Sequence, residues 1–343
     1  MNKKTVKYGI IGCGVISDWH ARAISEIENA EFLGVTDVVE AARKSFAEKY
    51  GVKAYDTVDA LVADPELDTV CICTPSGLHA PLAIRAANAG KHIVVEKPMA
   101  ITETEIKDVL DACEKRNVKM SVVSQLRFTR AVSETKKAVD DGALGKIVIA
   151  DLSMKYFRSQ EYYDKGGWRG TWKMDGGGAL MNQGIHGIDI MQYIMGPVKS
   201  VSAFTRTLAR KIEVEDTAVA ILEFENGALG KIVGTTSVYP GSARRLEICG
   251  DRGMITLEEN KITCWEVEGR DLPEDLKDKG SSSGTHNDPT SFDISGHVMQ
   301  LTDMTDAIIS GRMPAINQFD GKKPVEIILA IYESAETGKT VML

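Results

Sequence analysis

Short apolar runs alternate with helical patterns along the first third of the chain. Each run is bounded by turn-forming residues and has the length of a strand buried on both faces. The regular alternation of such strands with helices predicts a parallel α/β sheet. The predicted strands are Val6–Ile11, residues 31–36, residues 70–74, His92–Val95 and residues 119–124.

The hydrophobic pattern changes after about residue 145, where longer runs take over. Asn226-Gly227 separates two of these runs, and this dipeptide is typical of a β-hairpin turn. Antiparallel strands with helices packed on one face form an α+β domain. The strands predicted here are residues 146–156, 216–224, 228–239, 246–249, 254–257 and 261–267.

We therefore predict two domains. Residues 1–122 form a parallel α/β domain, and residues 123–343 form an α+β domain with a large, mainly antiparallel sheet. A large apolar sheet face is rarely exposed on a monomer, so the face without helices predicts a homodimer or homotetramer. Residues 269–290 are polar and predict a loop whose role the sequence leaves open. Helices are predicted near the C-terminus over residues 297–309 and 324–337.

A glycine-rich loop, GCGVIS, lies between the first predicted strand and a helix. Gly12 suits a tight turn, Gly14 lets the backbone approach a pyrophosphate, and Ser17 is small enough for close helix packing. Asp37 ends the second predicted strand, where a carboxylate accepts the ribose hydroxyls of NAD. The pattern predicts a dinucleotide-binding domain of the Rossmann type, and Asp37 favours NAD over NADP because it would repel a 2′-phosphate. The predicted cofactor-binding residues of this region are Gly12, Gly14, Val15, Ile16 and Asp37.

A lysine directly follows the strand His92–Val95, in the triplet Glu96-Lys97-Pro98. In open α/β sheets, ligands bind beyond the carboxyl ends of the strands, so Lys97 can bridge a cofactor and a bound hydroxyl or carbonyl group. Taken alone, the triplet is better explained by a solvated lysine before a turn proline, and the neighbouring motifs favour the functional interpretation. A second strand end carries the sequence TPSGLH, whose histidine either lies near the cofactor or caps a helix. The cofactor-binding residues predicted at these two strand ends are Thr74, Pro75, His79, Glu96 and Lys97.

Composition excludes several classes of partner. The chain has 343 residues, with 41 basic against 49 acidic side chains and a net charge of −8. Nucleic acid and anionic membranes require clustered positive charge, so neither is an expected partner. No run is long enough for a membrane span, and the chain starts without an apolar signal region. The six cysteines lack metal-ligand spacing and predict reduced thiols in a cytoplasmic protein, with no metal site.

The second domain contains GGGALMNQGIHGID at residues 176–189. The glycines predict the start of a helix on which Asn182 and His186, four residues apart, share one face. A core histidine satisfied by Asp189 is the simpler interpretation of His186, but an asparagine and a histidine on one face also suit a base held near a sugar hydroxyl. A loop-rich stretch before the glycines combines aromatic and arginine side chains, which suit a sugar face and a carboxylate or phosphate. The substrate-binding residues predicted in this domain are Asn182, Tyr156, Arg158, Trp168 and Arg169; for the tryptophan, a core or interface position is an equal alternative.

The remaining charged and histidine residues give weaker indications. Arg43 and Lys44 lie about two helical turns beyond Asp37 and are predicted to point into solvent. His297 can reach a pocket from the C-terminal helix, although a surface position is the simpler expectation. His20 and His286 carry no signal.

Together these motifs resemble the glucose–fructose oxidoreductase, inositol dehydrogenase and rhizopine catabolism (Gfo/Idh/MocA) family over essentially the full chain. The resemblance rests on GCGVIS, TPSGLH, the EKP triplet, the segment ending in His186 and the closing segment IYESA. It implies NAD(P)-dependent oxidation or reduction of a sugar or cyclitol, with Lys97 as the active-site lysine and His186 as the catalytic histidine. Many members carry aspartate where this chain has Asn182, so a proton relay through that position is not expected.

Residues 160–172 and 207–217 are similar to nucleotide-sugar dehydrogenases of this family that oxidise the third carbon of UDP-N-acetylglucosaminuronate. Two other functions stay open on the sequence. One is a glycosidase in which NAD transiently oxidises the third sugar carbon, and the other is a non-catalytic sugar or NAD sensor. The presence of both Lys97 and His186 counts against the sensor. Which sugar or cyclitol is the substrate is not fixed by the motifs.

Overall fold

The structure of the protein is a computed structural model that describes residues 5–277 and 294–343. The chain forms two compact units. The first contains residues 1–125 and 293–322, and the second contains residues 126–292 and 323–343. The boundary predicted after residue 122 therefore misses a return of the chain to the first unit. Of the predicted 269–290 loop, residues 278–290 lie outside the described residues, as does His286.

The first unit is built on a six-stranded parallel sheet with the strand order β3-β2-β1-β4-β5-β6. This order is that of a dinucleotide-binding fold, with its switch point between β1 and β4. The predicted α/β class is confirmed. The strands are β1 Val6–Ile11, β2 Ala30–Thr36, β3 Lys53–Ala54, β4 Thr69–Ile72, β5 His92–Val95 and β6 Met120–Val122. The helices between them are α1 Val15–Ser25, α2 Glu40–Tyr50, α3 Val58–Val62, α4 His79–Asn88 and α5 Glu103–Arg116.

The C-terminal helix α9, Ser295–Ser310, belongs to the first unit. Its residues Leu301 and Met304 are buried in the same core cluster as Tyr8 of β1. The Tyr8 hydroxyl lies 2.8 Å from the Thr305 hydroxyl, so the buried phenol has a polar partner. Helical spacing predicted α9 itself, but not the unit in which it packs.

The second unit is built on an eight-stranded sheet with the order β13-β12-β11-β7-β10-β9-β8-β14. All its neighbouring strands are antiparallel except β7 and β10, which are parallel. The mainly antiparallel sheet is confirmed, whereas β8 and the position of β7 were not predicted. The strands are β7 Ile147–Lys155, β8 Val198–Arg206, β9 Thr217–Phe224, β10 Leu229–Thr235, β11 Arg245–Gly250, β12 Gly253–Glu258, β13 Lys261–Val267 and β14 Val341–Met342.

Alternate residues of β7 and β9 are buried, so one face of this sheet is covered. The helices of the second unit include α6 Arg130–Asp140, α7 Gln160–Asp164 and α8 Ile185–Met195, and α10 Gln318–Thr337 begins in the first unit and continues in the second. A π-helix, Ala179–Gly184, runs directly into α8.

All six cysteines are free thiols. The cytoplasmic location stays a prediction. Within residues 5–277 and 294–343, no helix is long and apolar enough to cross a membrane.

Candidate functional site

The glycine loop between β1 and α1 has the geometry of a pyrophosphate cradle. Gly12 has a φ of +101°, and a Cβ at this position would lie 2.7 Å from the Cys73 carbonyl oxygen, so only glycine fits. A Cβ at Gly14 would meet nothing within 4 Å, which leaves open space at the N-terminus of α1. Val15 is 67 % exposed beside it. The predicted NAD-binding loop therefore has room for a phosphate group, because the amides at the N-terminus of a helix bind anions.

Asp37 closes this loop from the end of β2. Its Oδ2 accepts a hydrogen bond from the Cys13 amide at 2.7 Å, and its Oδ1 accepts one from the Val39 amide at 2.7 Å. These two bonds fix the carboxylate in the place where the ribose of a dinucleotide is bound in this kind of fold. The fixed negative charge supports NAD over NADP.

Arg43 is not exposed to solvent, contrary to the prediction. Its side chain is buried, and its guanidinium donates to the Asp37 carbonyl oxygen at 3.2 Å and to Asp56 Oδ1 at 2.7 Å. Helical spacing placed Arg43 on an outer face but could not show that Asp56 lies opposite it. Lys44 is exposed and pairs with Glu40, as expected for a solvated lysine.

The loop that carries Lys97 is held from both sides by buried histidines. Before it, Glu96 Oε1 lies 2.8 Å from His20 Nε2. After it, the Pro98 carbonyl oxygen lies 2.7 Å from His79 Nδ1, and His79 Nε2 lies 2.8 Å from the Thr74 carbonyl oxygen. Thr74 and Pro98 are thus joined through one imidazole, so the structure gives His79 a role in shaping the loop. Its contact with the cofactor stays a prediction.

Glu96 lies at the centre of a buried cluster with His20 and His297. Burial alone would raise the pKa of Glu96, but the two histidines hold it well below its usual range. His297 is 2 % exposed, and its Nε2 lies 3.8 Å from Glu96 Oε1, so the expected surface position was wrong. The 2.8 Å contact between His20 and Glu96 is shorter than the roughly 3.3 Å between two ligands of tetrahedral zinc, which fits a hydrogen bond.

In the second unit, the segment with Asn182 and His186 is helical, but its first part is a π-helix rather than an α-helix. The predicted four-residue spacing on one α-helical face therefore does not apply between these two residues. His186 is partly exposed at the start of α8. Asp189, the partner considered for it, forms a two-pronged buried ion pair with Arg127, with N–O distances of 2.9 and 2.5 Å.

The start of this helical segment is held by Glu215. The carboxylate accepts hydrogen bonds from the amides of Gly178 and Leu180 at 2.8 and 2.9 Å, and from the Tyr332 hydroxyl at 3.0 Å. Burial raises the pKa of Glu215 to about 7, although these donors lower it. Sequence reasoning missed Glu215, because an acidic pair before an apolar strand resembles an ordinary strand end.

A chain of polar contacts leads from Asn182 to an aromatic residue. The Asn182 amide donates to the buried Asp175 at 2.7 Å, and the Gln183 amide lies 3.2 Å from Asn182 Oδ1 and 3.0 Å from the Tyr162 hydroxyl. Asp175 also accepts from the Gly170 amide at 2.9 Å. Asn182 is therefore held in one orientation, as a residue that orients a hydroxyl needs to be.

Two predicted arginines flank the ring of Tyr162. The guanidinium carbons of Arg169 and Arg158 lie 4.6 and 5.6 Å from its centre. The Nε atom of Arg169 is buried and has no hydrogen-bond partner among the described residues. Buried polar groups are normally paired, so this guanidinium is suited to an anionic ligand.

The other predicted substrate residues differ in their surroundings. Tyr156 is buried, and burial raises its pKa to about 12, with Arg244 acting in the opposite direction. Trp168 is partly exposed, with the Arg169 guanidinium 5.2 Å from its ring centre. Trp172 is 47 % exposed and packs edge-on against Tyr332. A substrate contact fits Trp168 better than the more deeply buried Tyr156, but both stay predictions.

Comparison with known proteins identifies the family of this chain. Residues 6–124 match the oxidoreductase family with an NAD-binding Rossmann fold, and residues 132–256 match the GFO/IDH/MocA C-terminal domain. The predicted NAD cofactor and the predicted family are both confirmed at this level.

Similar proteins extend the match to nearly the whole chain. The myo-inositol 2-dehydrogenase of Thermotoga maritima is 28% identical over 98% of both chains. The oxidoreductase YrbE of Bacillus subtilis is 31% identical over 80% of both chains. The WlbA dehydrogenase of Bordetella pertussis, solved with NADH and UDP-GlcNAcA, is 32% identical over 99% of both chains, with a TM-score of 0.89. The chain belongs to the Gfo/Idh/MocA family of NAD-binding oxidoreductases.

Proposed function

We propose that this protein is an NAD-dependent dehydrogenase that oxidises a secondary hydroxyl of a sugar derivative carrying an acidic group. The observation that carries the acidic group is the pair of arginines around Tyr162, together with the buried Nε of Arg169, which has no hydrogen-bond partner among the described residues. A carboxylate or phosphate would pair with this guanidinium. The similar WlbA structure, solved with a UDP-sugar acid, supports this choice over inositol, which has no charge.

The proposed reaction gives each residue a separate task. Gly12, Gly14 and Asp37 would hold NAD, which would supply the acceptor for the hydride lost from the carbon that carries the hydroxyl. His186 takes the hydroxyl proton, and a positioned base of this kind contributes roughly 10²–10⁴ in rate. Lys97 stabilises the negative charge that develops on the oxygen. Asn182 cannot take a proton and orients the hydroxyl.

The test is the appearance of NADH absorbance with a panel of substrates. UDP-N-acetylglucosaminuronate should give the largest kcat/KM, followed by free uronates, with glucose and myo-inositol at least about tenfold lower because they carry no charge to pair with Arg169. A preference for neutral sugars would refute the acidic group. Cleavage of a glycoside without net NADH would instead identify the NAD-dependent glycosidase.

We predict that NAD binds several-fold more tightly than NADP. The fixed carboxylate of Asp37 repels a 2′-phosphate, so Asp37→Ser should narrow the difference between the two dissociation constants. Titration calorimetry with each cofactor measures both values. Tighter binding of NADP by the unmodified protein would contradict the prediction.

We also predict a homodimer, or a dimer of dimers, formed through the outer face of the large sheet. Phe204, Val219 and Leu229 lie on this face and are 71, 42 and 54 % exposed. Ile221, which pairs across the strands with Ser202 and Lys231, is 61 % exposed on the same face. A second copy of the chain can cover this face with its own matching residues.

Light scattering at micromolar concentration tests the assembly. The unmodified protein should have at least twice the mass of one chain, and the double variant Phe204→Asp, Ile221→Asp should shift toward a single chain. Val148→Asp, at an exposed position at the start of β7, serves as a control for surface charge. A single-chain mass for the unmodified protein would exclude this assembly.

A further inference from the structure

Two adjacent buried acids, Glu215 and Asp216, lie directly before β9 and hold different parts of the second unit. We infer that they are positioning residues with divided roles: Glu215 aligns the catalytic segment, residues 178–186, and Asp216 aligns the arginine segment, residues 208–210. The inference rests on the proposed function, because it assigns the two segments to chemistry and to substrate binding respectively.

Glu215 anchors the beginning of the helix that carries His186. The first amides of a helix have no hydrogen-bond acceptors within the helix. Glu215 provides acceptors for them with both its carboxylate and its backbone carbonyl oxygen. The carboxylate accepts from Gly178 and Leu180, and the Glu215 carbonyl oxygen accepts from the Ala179 amide at 3.0 Å. Three consecutive amides are thereby fixed by one residue.

The packing around this anchor leaves little freedom. A Cβ at Gly178 would lie 1.8 Å from the Glu215 carbonyl oxygen, and a Cβ at Gly177 would lie 2.2 Å from the Tyr332 hydroxyl. Tyr332 donates to the same carboxylate from α10. The glycine turn is thus clamped between Glu215 and Tyr332, and the helix that follows starts from a fixed point.

Asp216 anchors a different backbone segment. Its Oδ1 accepts from the Leu208 amide at 2.9 Å, and its Oδ2 accepts from the Ala209 and Arg210 amides at 2.7 and 2.8 Å. Burial alone would raise the pKa of Asp216, but these amides lower it below its usual range.

The arginine segment leads on to the proposed anion site. Arg210 Nε donates to the Arg158 carbonyl oxygen at 2.7 Å, and its guanidinium lies 5.1 Å from the ring centre of Phe157. Asp216 therefore fixes the segment that holds the backbone of Arg158, one of the two arginines beside the Tyr162 ring. The amides that Asp216 binds, in residues 208–210, differ from those that Glu215 binds, in residues 178–180.

The two roles predict different kinetic effects, mainly on kcat for Glu215 and mainly on KM for Asp216. Glu215→Gln places an NH₂ group against a backbone donor, so it should lower kcat about tenfold, because a displaced base slows the chemical step. KM for UDP-N-acetylglucosaminuronate should rise by a smaller factor, because Asn182 lies in the same segment. Tyr332→Phe should act in the same direction with a smaller effect. Asp216→Asn should raise that KM about tenfold with little change in kcat. Glu225→Gln, an exposed acid just beyond the other end of β9, is the control and should change neither.

A readout that does not depend on turnover separates positioning from general stability. The ¹⁵N imidazole signals of His186, assigned with His186→Ala, should shift in Glu215→Gln and Tyr332→Phe and stay unchanged in Asp216→Asn and Glu225→Gln. If Glu215→Gln and Tyr332→Phe both fold and leave the His186 signals and kcat unchanged, the proposed role of Glu215 is overturned. An unchanged KM in Asp216→Asn would overturn the proposed role of Asp216. If no sugar reduces NAD but the His186 signals still shift, the proposed function fails while the alignment by Glu215 stands.

Discussion

His186→Ala is expected to lower kcat by at least about a hundredfold, the low end of the loss when a positioned acid–base group is removed. Lys97→Ala should have an effect of similar size, because the lysine stabilises charge on the same oxygen. Asn182→Ala should raise KM more than it lowers kcat, since asparagine only orients the hydroxyl. Steady-state rates of NADH formation with UDP-N-acetylglucosaminuronate measure all three.

Thermal unfolding distinguishes this result from a structural role of His186. The proposed base can be removed with little change in the melting temperature and in NAD affinity, because the histidine serves the substrate. A core histidine would give the opposite result, a lowered melting temperature with normal turnover in the protein that remains folded. Near-normal kcat in a stable His186→Ala protein would rule out the proposed mechanism.

Arg169→Met is expected to raise KM for UDP-N-acetylglucosaminuronate by about 10- to 100-fold, the range for loss of a hydrogen bond between charged groups. Methionine keeps much of the side-chain length and removes the charge, so packing on Tyr162 is partly retained. The KM for glucose should change much less, because glucose carries no charge that could pair with the guanidinium of Arg169. Arg252→Met, in the exposed turn between β11 and β12, is the matched control and should leave both values unchanged. An equal rise in KM for the acidic and neutral sugars would show that Arg169 does not bind the acidic group.

The cofactor loop could be predicted from the sequence because its requirements are local. Gly12 and Asp37 follow strands β1 and β2, whose apolar runs fix both their limits and their common edge in a parallel sheet. The same holds for helix starts: a threonine three residues before a glutamate is a capping pattern, and the Thr102 hydroxyl accepts a hydrogen bond from the Glu105 amide at 3.2 Å.

Partners that lie far apart in the sequence could not be predicted in this way. His20 and His297 come from opposite ends of the chain and meet Glu96 only in the folded first unit. Arg43 has a charged partner, Asp56, that helical spacing does not reveal. The π-helix also escaped prediction, because its apolar pattern is indistinguishable from that of an α-helix over a single turn. Lys97 was predicted from its place at a strand end and His186 from the helical segment after the glycines; the family motifs supported both, and their roles stay predictions.

The return of the chain to the first unit has a consequence for the order of events during synthesis. Leu301 and Met304 of α9 complete the core around Tyr8, which belongs to β1. The cofactor-binding unit therefore cannot close its core until α9 has left the ribosome, after the strands from β1 to β13. Domains usually fold one after another from the N-terminus. In this protein the N-terminal unit has to wait for the C-terminal segment, so a truncated chain that lacks α9 would expose apolar surface and become a target for chaperones and proteases.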